Sequence, residues 1–120
     1  MLGLFYLLSS CDSADLWVDG QYVAHWVDTE DNISINRIVG EGIAVGRVDA
    51  KVVALGSDKK YVVAKRVDIK TGEISYFYIE KPKDNDYLNQ DEITQGPFSE
   101  KDYLDLKSKL ELPDFNKNFD

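Results

Sequence analysis

KYVVAKRVDIKTGEISYFYIEK, residues 60–81, sets two runs of β-branched and aromatic residues on either side of a short polar connection. Tyr61, Val62, Val63, Ala64 and Val67 stand opposite Ile74, Tyr76, Phe77, Tyr78 and Ile79 across a turn containing Gly72. These residue types fit a pleated surface and pair well across strands. Apolar residues fall on both faces of each run, so the pair is expected to hold a central position in its sheet.

Working outward, VDAKVVALG and the Gly56-Ser57-Asp58 turn extend the pair upstream into an antiparallel meander. SINRIV is another short β-like run, and LWVDGQYVAHWV reads as a hairpin or two short strands around Asp19-Gly20. Downstream the period changes. Ser99 precedes Asp102 by three positions, and Phe98 and Tyr103 flank the start, which is the pattern of a capped helix with a hydrophobic staple. Glu100 and Asp102 suit its positive end and Lys107 and Lys109 its negative end, while Tyr103, Leu106 and Leu110 make one apolar stripe. Pro113 follows the helix, and residues 114–120 read as a flexible tail. The expected fold class is α+β: one antiparallel β-meander sheet with one C-terminal helix packed on it, spanning residues 16–113.

The chain begins MLGLFYLLSSCDSAD. Leu8, Ser9, Ser10 and Cys11 resemble, position by position, the lipobox of bacterial lipoproteins, in which the cysteine thiol is acylated and the peptide bond before it is cut. Leu2, Leu4, Phe5, Tyr6 and Leu7 then read as the end of an apolar export segment, too short to span a bilayer permanently. Such a segment normally follows Lys or Arg, and only the terminal amine is positive here, so the start of the full reading frame is expected upstream. On this reading residues 1–10 are a truncated signal segment and 11–15 a polar tether. The competing reading makes the apolar start a first strand or helix on the core, with Cys11 a buried thiol.

KYVVAKRVD, EISYFYIEKPKD and GPFSEKDYLDLKSKL, in that order, resemble a group of small uncharacterised bacterial lipoproteins that end in a strand pair, a Gly-Pro turn with a Ser or Thr cap, and a terminal helix. The resemblance covers roughly residues 60–110 and is most specific at Gly96-Pro97-Phe98-Ser99. It implies a membrane-tethered envelope domain and supplies no catalytic residues.

A formal charge of -8 opposes both nucleic acid and anionic lipid as partners of the folded part, and favours a basic protein. The single cysteine excludes an internal disulfide and a cysteine-based zinc site, and the single histidine, His25, excludes a multi-histidine one. Gly40, Gly42 and Gly46 lack the strand-turn-helix context of a dinucleotide loop and read as turns or a bulge. The acidic runs Asp28-Thr29-Glu30-Asp31-Asn32 and Asp84-Asn85-Asp86, the latter continued by Asn89, Asp91 and Glu92, lack the order of a calcium loop. No metal, cofactor or catalytic group is expected.

The expected function is that of a lipid-anchored envelope lipoprotein, held at a bacterial membrane by Cys11, that serves as a binding module rather than an enzyme. An immunity or exclusion factor is one concrete version, since an acidic anchored domain suits capture of a basic partner. Trp17, Trp26, Tyr76, Tyr78 and Tyr87 are the candidate binding aromatics. The alternatives are a small envelope hydrolase working through Asp and Glu side chains, and a cytoplasmic acidic domain should the export reading fail.

Overall fold

A computed structural model describes residues 13–27 and 32–119. Cys11, Leu8, Ser9, Ser10 and the export segment lie outside the described residues, as does most of the first acidic run. Strands β1 (Ser13–Asp19), β2 (Tyr22–Val27), β3 (Ile33–Val39) and β4 (Ile43–Val48) form one antiparallel sheet in sequential order. A second antiparallel sheet takes β5 (Val52–Ser57), β6 (Tyr61–Val67), β7 (Ile74–Glu80), β8 (Gln95–Phe98) and β9 (Lys117–Asn118) in the order β8-β7-β6-β5-β9. A 3-10 turn at Lys81–Lys83 and a short helix α1 (Gln90–Ile93) follow β7, and α2 (Glu100–Leu110) follows β8. The structure is therefore mostly β, and the single sheet and single helix expected from sequence become two sheets and more than one helix.

The chain changes sheet at residues 49–51. Arg66 donates from Nε to the carbonyls of Ala50 (2.7 Å) and Asp49 (3.2 Å), and Lys51 and Val67 exchange backbone hydrogen bonds, so β5 is delivered to β6 instead of pairing with β4.

The two-faced apolar character of residues 61–79 has its explanation in the layering. Val62, Ala64, Phe77 and Ile79 turn to the first sheet and bury against Tyr22, Ala24, Ile33, Ile35 and Val48. Tyr61, Val63 and Tyr76 turn the other way, under Tyr103, Leu106 and Leu110 of α2. Removing this much apolar surface from water on both faces of one sheet is the main stabilising contribution visible in the fold.

Turns follow the sequence chemistry. Gly20, at φ 61°, joins β1 to β2, and Gly40 and Gly42 form the β3–β4 turn, which gives these glycines a local structural role. The side chain of Asp68 accepts from the N–H groups of Lys70 and Thr71 and organises the β6–β7 connection.

The N-cap of α2 is Ser99, whose hydroxyl accepts from the N–H of Asp102 at 3.2 Å. Ser99→Ala is expected to lower stability by about 0.5–2 kcal/mol, read by thermal or urea denaturation. An unchanged midpoint would mean that the cap carries no net energy there.

Both ends of the domain reach further than the sequence suggested. β1 begins at Ser13, inside the segment read as tether, and residues 114–119, read as a flexible tail, run along β5. Asn116 and Phe119 donate backbone hydrogen bonds to Leu55 and Val53, Phe115 packs under α2, and Phe119 packs on the inter-sheet core. Gly56 admits this segment because a Cβ there would come within 2.1 Å of the Asp114 carbonyl.

Candidate interaction surface

Ile33, Ile35 and Arg37 share the inward face of β3 by period two, so the third of them brings a guanidinium toward the core. Arg47 on β4 is likewise buried. A buried charge must be paired and hydrogen-bonded, and the partner of both is the acidic loop after β7. Asp84 receives Arg47 in a two-pronged contact, Nε to Oδ2 and Nη2 to Oδ1, both at 2.9 Å, with each side chain 0% exposed. The Tyr22 hydroxyl donates to the same carboxylate at 2.7 Å, and Arg37 Nη1 lies 3.6 Å from it. Arg37 also donates to Asp86 at 3.0 Å and to Gln21 at 2.8 Å, and Gln21 donates to Asp86 at 3.0 Å.

Burial pushes the Asp84 carboxyl up, but Arg47, the Tyr22 hydroxyl and Arg37 outweigh it and hold the group below the ordinary carboxylate range. Burial and the neighbouring Asp84 push the Tyr22 phenol well above its usual value. Asp86, bonded by Gln21 and Arg37, is also held down. A second tie is made by Lys81, which bridges Asp19 and the Asp58 carbonyl.

The consequence is a loop fixed at both ends. Asp84 and Asp86 clamp its start to the first sheet. At its end the Glu92 carboxylate accepts from the Asn89 N–H at 2.8 Å, while Leu88 and Ile93 enter the inter-sheet core. Between the two anchors an Asx turn, Tyr87 N–H to Asn85 Oδ1 at 2.8 Å, lifts Tyr87 into solvent, 93% exposed. Beside α1 a groove of about 510 Å³ is lined by Asp49, Arg66, Phe77, Asn89, Gln90 and Asp91.

Of the other aromatics singled out from sequence, Trp17 and Trp26 are partly buried against the inter-sheet core, Tyr78 is half-buried under α2, and Tyr76 is 6% exposed in the same layer. The structure does not bring these four together with Tyr87 on one surface. His25 is half-buried on β2. Among the described residues no three His, Cys, Asp or Glu side chains are grouped as metal ligands, and no helix is long and apolar enough to cross a membrane. Sequence reasoning missed Arg37 and Arg47. The available signal was an arginine at an inward position of a β-run, in a chain with a compact Asp-Asn-Asp cluster to receive it.

No protein-family model, no curated protein and no solved structure matches this chain.

Proposed function

We propose that this is a bacterial envelope lipoprotein, tethered through acyl groups on Cys11, whose domain binds a basic protein partner through the clamped acidic loop carrying Tyr87. The observation that carries the reading is the combination of a fully presented aromatic ring and a loop already fixed at both ends. Binding sites draw most of their energy from a few aromatic or arginine anchors, and a pre-ordered loop loses little entropy on docking. The groove beside the loop carries Asp49 and Asp91 against a single cation, Arg66, whose guanidinium already donates to the Asp49 and Ala50 carbonyls, so its carboxylates suit a lysine or arginine of the partner, and the -8 charge of the chain would speed capture of a cation. An immunity or exclusion factor is the version of this role that best suits an anchored, acidic capture domain.

A hydrolase reading draws less support. General-acid carboxyls are characteristically pushed up, whereas Asp19, Asp68, Asp84, Asp86 and Asp114 are all held down, most of them by cationic partners.

The test is crosslinking in intact envelopes from cells expressing the complete reading frame. Wild type should fractionate with membranes and yield a crosslinked partner. Cys11→Ser should release the protein to the soluble fraction, and Tyr87→Ala should keep it anchored and folded but lose the partner. A wild-type chain that stays soluble with an unmodified Cys11, or a partner retained by Tyr87→Ala, contradicts the proposal.

A further inference from the structure

On the face of the second sheet that carries α2, a cleft of about 280 Å³ lies between α2, that sheet and the C-terminal segment. One wall is the helical stripe Glu100, Tyr103, Leu104 and Lys107, which the i, i+3, i+4, i+7 spacing places on one face. Leu104 on this wall is 53% exposed, an apolar surface that neither the sheet nor the C-terminal segment covers. The inner end is aromatic: Tyr103 stacks on Tyr76 at 4.9 Å and on Phe115 at 5.9 Å between ring centroids.

Two polar groups of the cleft are left incompletely satisfied among the described residues. Tyr103 is 2% exposed, yet its hydroxyl has no hydrogen-bond partner, and such an orphaned buried donor carries a desolvation cost that structures ordinarily avoid. Burial, and then the nearby Asp114 and Tyr76, push this phenol up to about 12, so the hydroxyl stays protonated, and both of those neighbours line the cleft. The second is Lys65. Lys107 is ion-paired with Asp114, but among the described residues the ammonium of Lys65 meets no carboxylate and only overhangs the Tyr76 ring, 6.0 Å from its centroid.

We propose that this cleft is a binding site for a small aromatic carboxylic acid, its ring against Leu104 and Phe115 and its carboxylate received by the ammonium of Lys65 and the hydroxyl of Tyr103. The volume lies at the lower end of ligand pockets and fits a single ring with a short acidic arm. A monoanion matches the cation left without a carboxylate among the described residues, whereas a phosphate dianion would meet stronger repulsion from Glu100 and Asp114. The aromatic end favours a ring over an aliphatic chain through offset and edge contacts. This site is separate from the loop bearing Tyr87, and its existence does not depend on the function proposed for that loop.

The test is an amide-shift NMR titration of the full chain with phenylacetate, with benzyl alcohol as the neutral control, to millimolar concentration. Phenylacetate should perturb residues 65, 76, 103, 104 and 115 together, and benzyl alcohol should bind at least about tenfold more weakly. Lys65→Met, which keeps the apolar stem, should weaken phenylacetate by about tenfold. Tyr103→Phe should weaken it severalfold while leaving the melting temperature unchanged or higher, since it deletes an unsatisfied hydroxyl. Absence of perturbation in the cleft, equal binding of benzyl alcohol, or full affinity in both variants overturns the proposal.

Discussion

Asp84→Ala should cost about 3–5 kcal/mol of folding stability, because it strands a fully buried guanidinium. The Arg47 side chain is 0% exposed, and without Asp84 its remaining partners are the carbonyls of Gly46 and Asn85. Arg47→Met should cost less. It leaves Asp84 the Tyr22 hydroxyl and Arg37 as partners and replaces the guanidinium with an apolar chain of similar reach. The ordering of the two substitutions is what distinguishes a stranded cation from a simple loss of packing. Urea midpoints at neutral pH measure it, and equal losses would argue for packing alone.

The same group sets an acid limit. The folded-state pKa of Asp84 lies below the ordinary value of 3.8, so ionised Asp84 favours the folded state. Its contribution is fully present above that ordinary value and is lost as pH falls through the lower, folded-state value. The stability gap between wild type and Asp84→Asn should accordingly be constant around neutrality and narrow in strong acid. A gap that widened on acidification would contradict the assignment.

Deleting residues 114–120 should be the second large effect, roughly 2–4 kcal/mol, taking about 1.5–3 kcal/mol for full burial of each phenylalanine and discounting for their partial burial. The segment fastens both layers. Phe115 closes the stack of Tyr76 and Tyr103 under α2, and Phe119 packs on the core between the sheets. Its removal also exposes β5 as an unpaired edge, which invites pairing with a second chain. A chain ending at Pro113 should therefore unfold at lower urea and aggregate at lower concentration. A midpoint equal to that of the full chain would show the segment to be passive.

Much of this fold was legible in the residues. The β6–β7 pair, the Asp19-Gly20 hairpin and the Ser99 cap each rest on local rules of pairing, turn chemistry and capping, which act within a few residues. Sheet membership is not local. Alternation shows that Val62 and Val63 point to opposite faces, but not that one faces a second sheet and the other a helix. The chain changes sheet at Asp49 and Ala50, whose carbonyls accept from the Arg66 guanidinium, a contact between segments with no sequence signature.

The C-terminal segment was misread for a related reason. Its polar composition resembles a tail, and its order comes from two phenylalanines and from the room left by Gly56 on a distant strand. The acidic loop was visible as charge but not as structure. Seeing that Asp84 is buried required knowing that Arg37 and Arg47 point inward toward it. Tyr87 was singled out among five aromatics, and only the anchors on either side of it explain why that ring is the one held in solvent.

The central claim is that an anchored domain captures a basic partner through the loop at Tyr87. A photo-crosslinking amino acid placed at position 87 of the complete, membrane-anchored protein tests it most directly, with the same group at the exposed position 70 as the control, in native envelopes at low and high salt. The expected result is one basic protein crosslinked from position 87, absent from position 70, and diminished at high salt because the encounter is electrostatic. The same products from both positions, or none from position 87 while the protein is folded and anchored, would contradict the account.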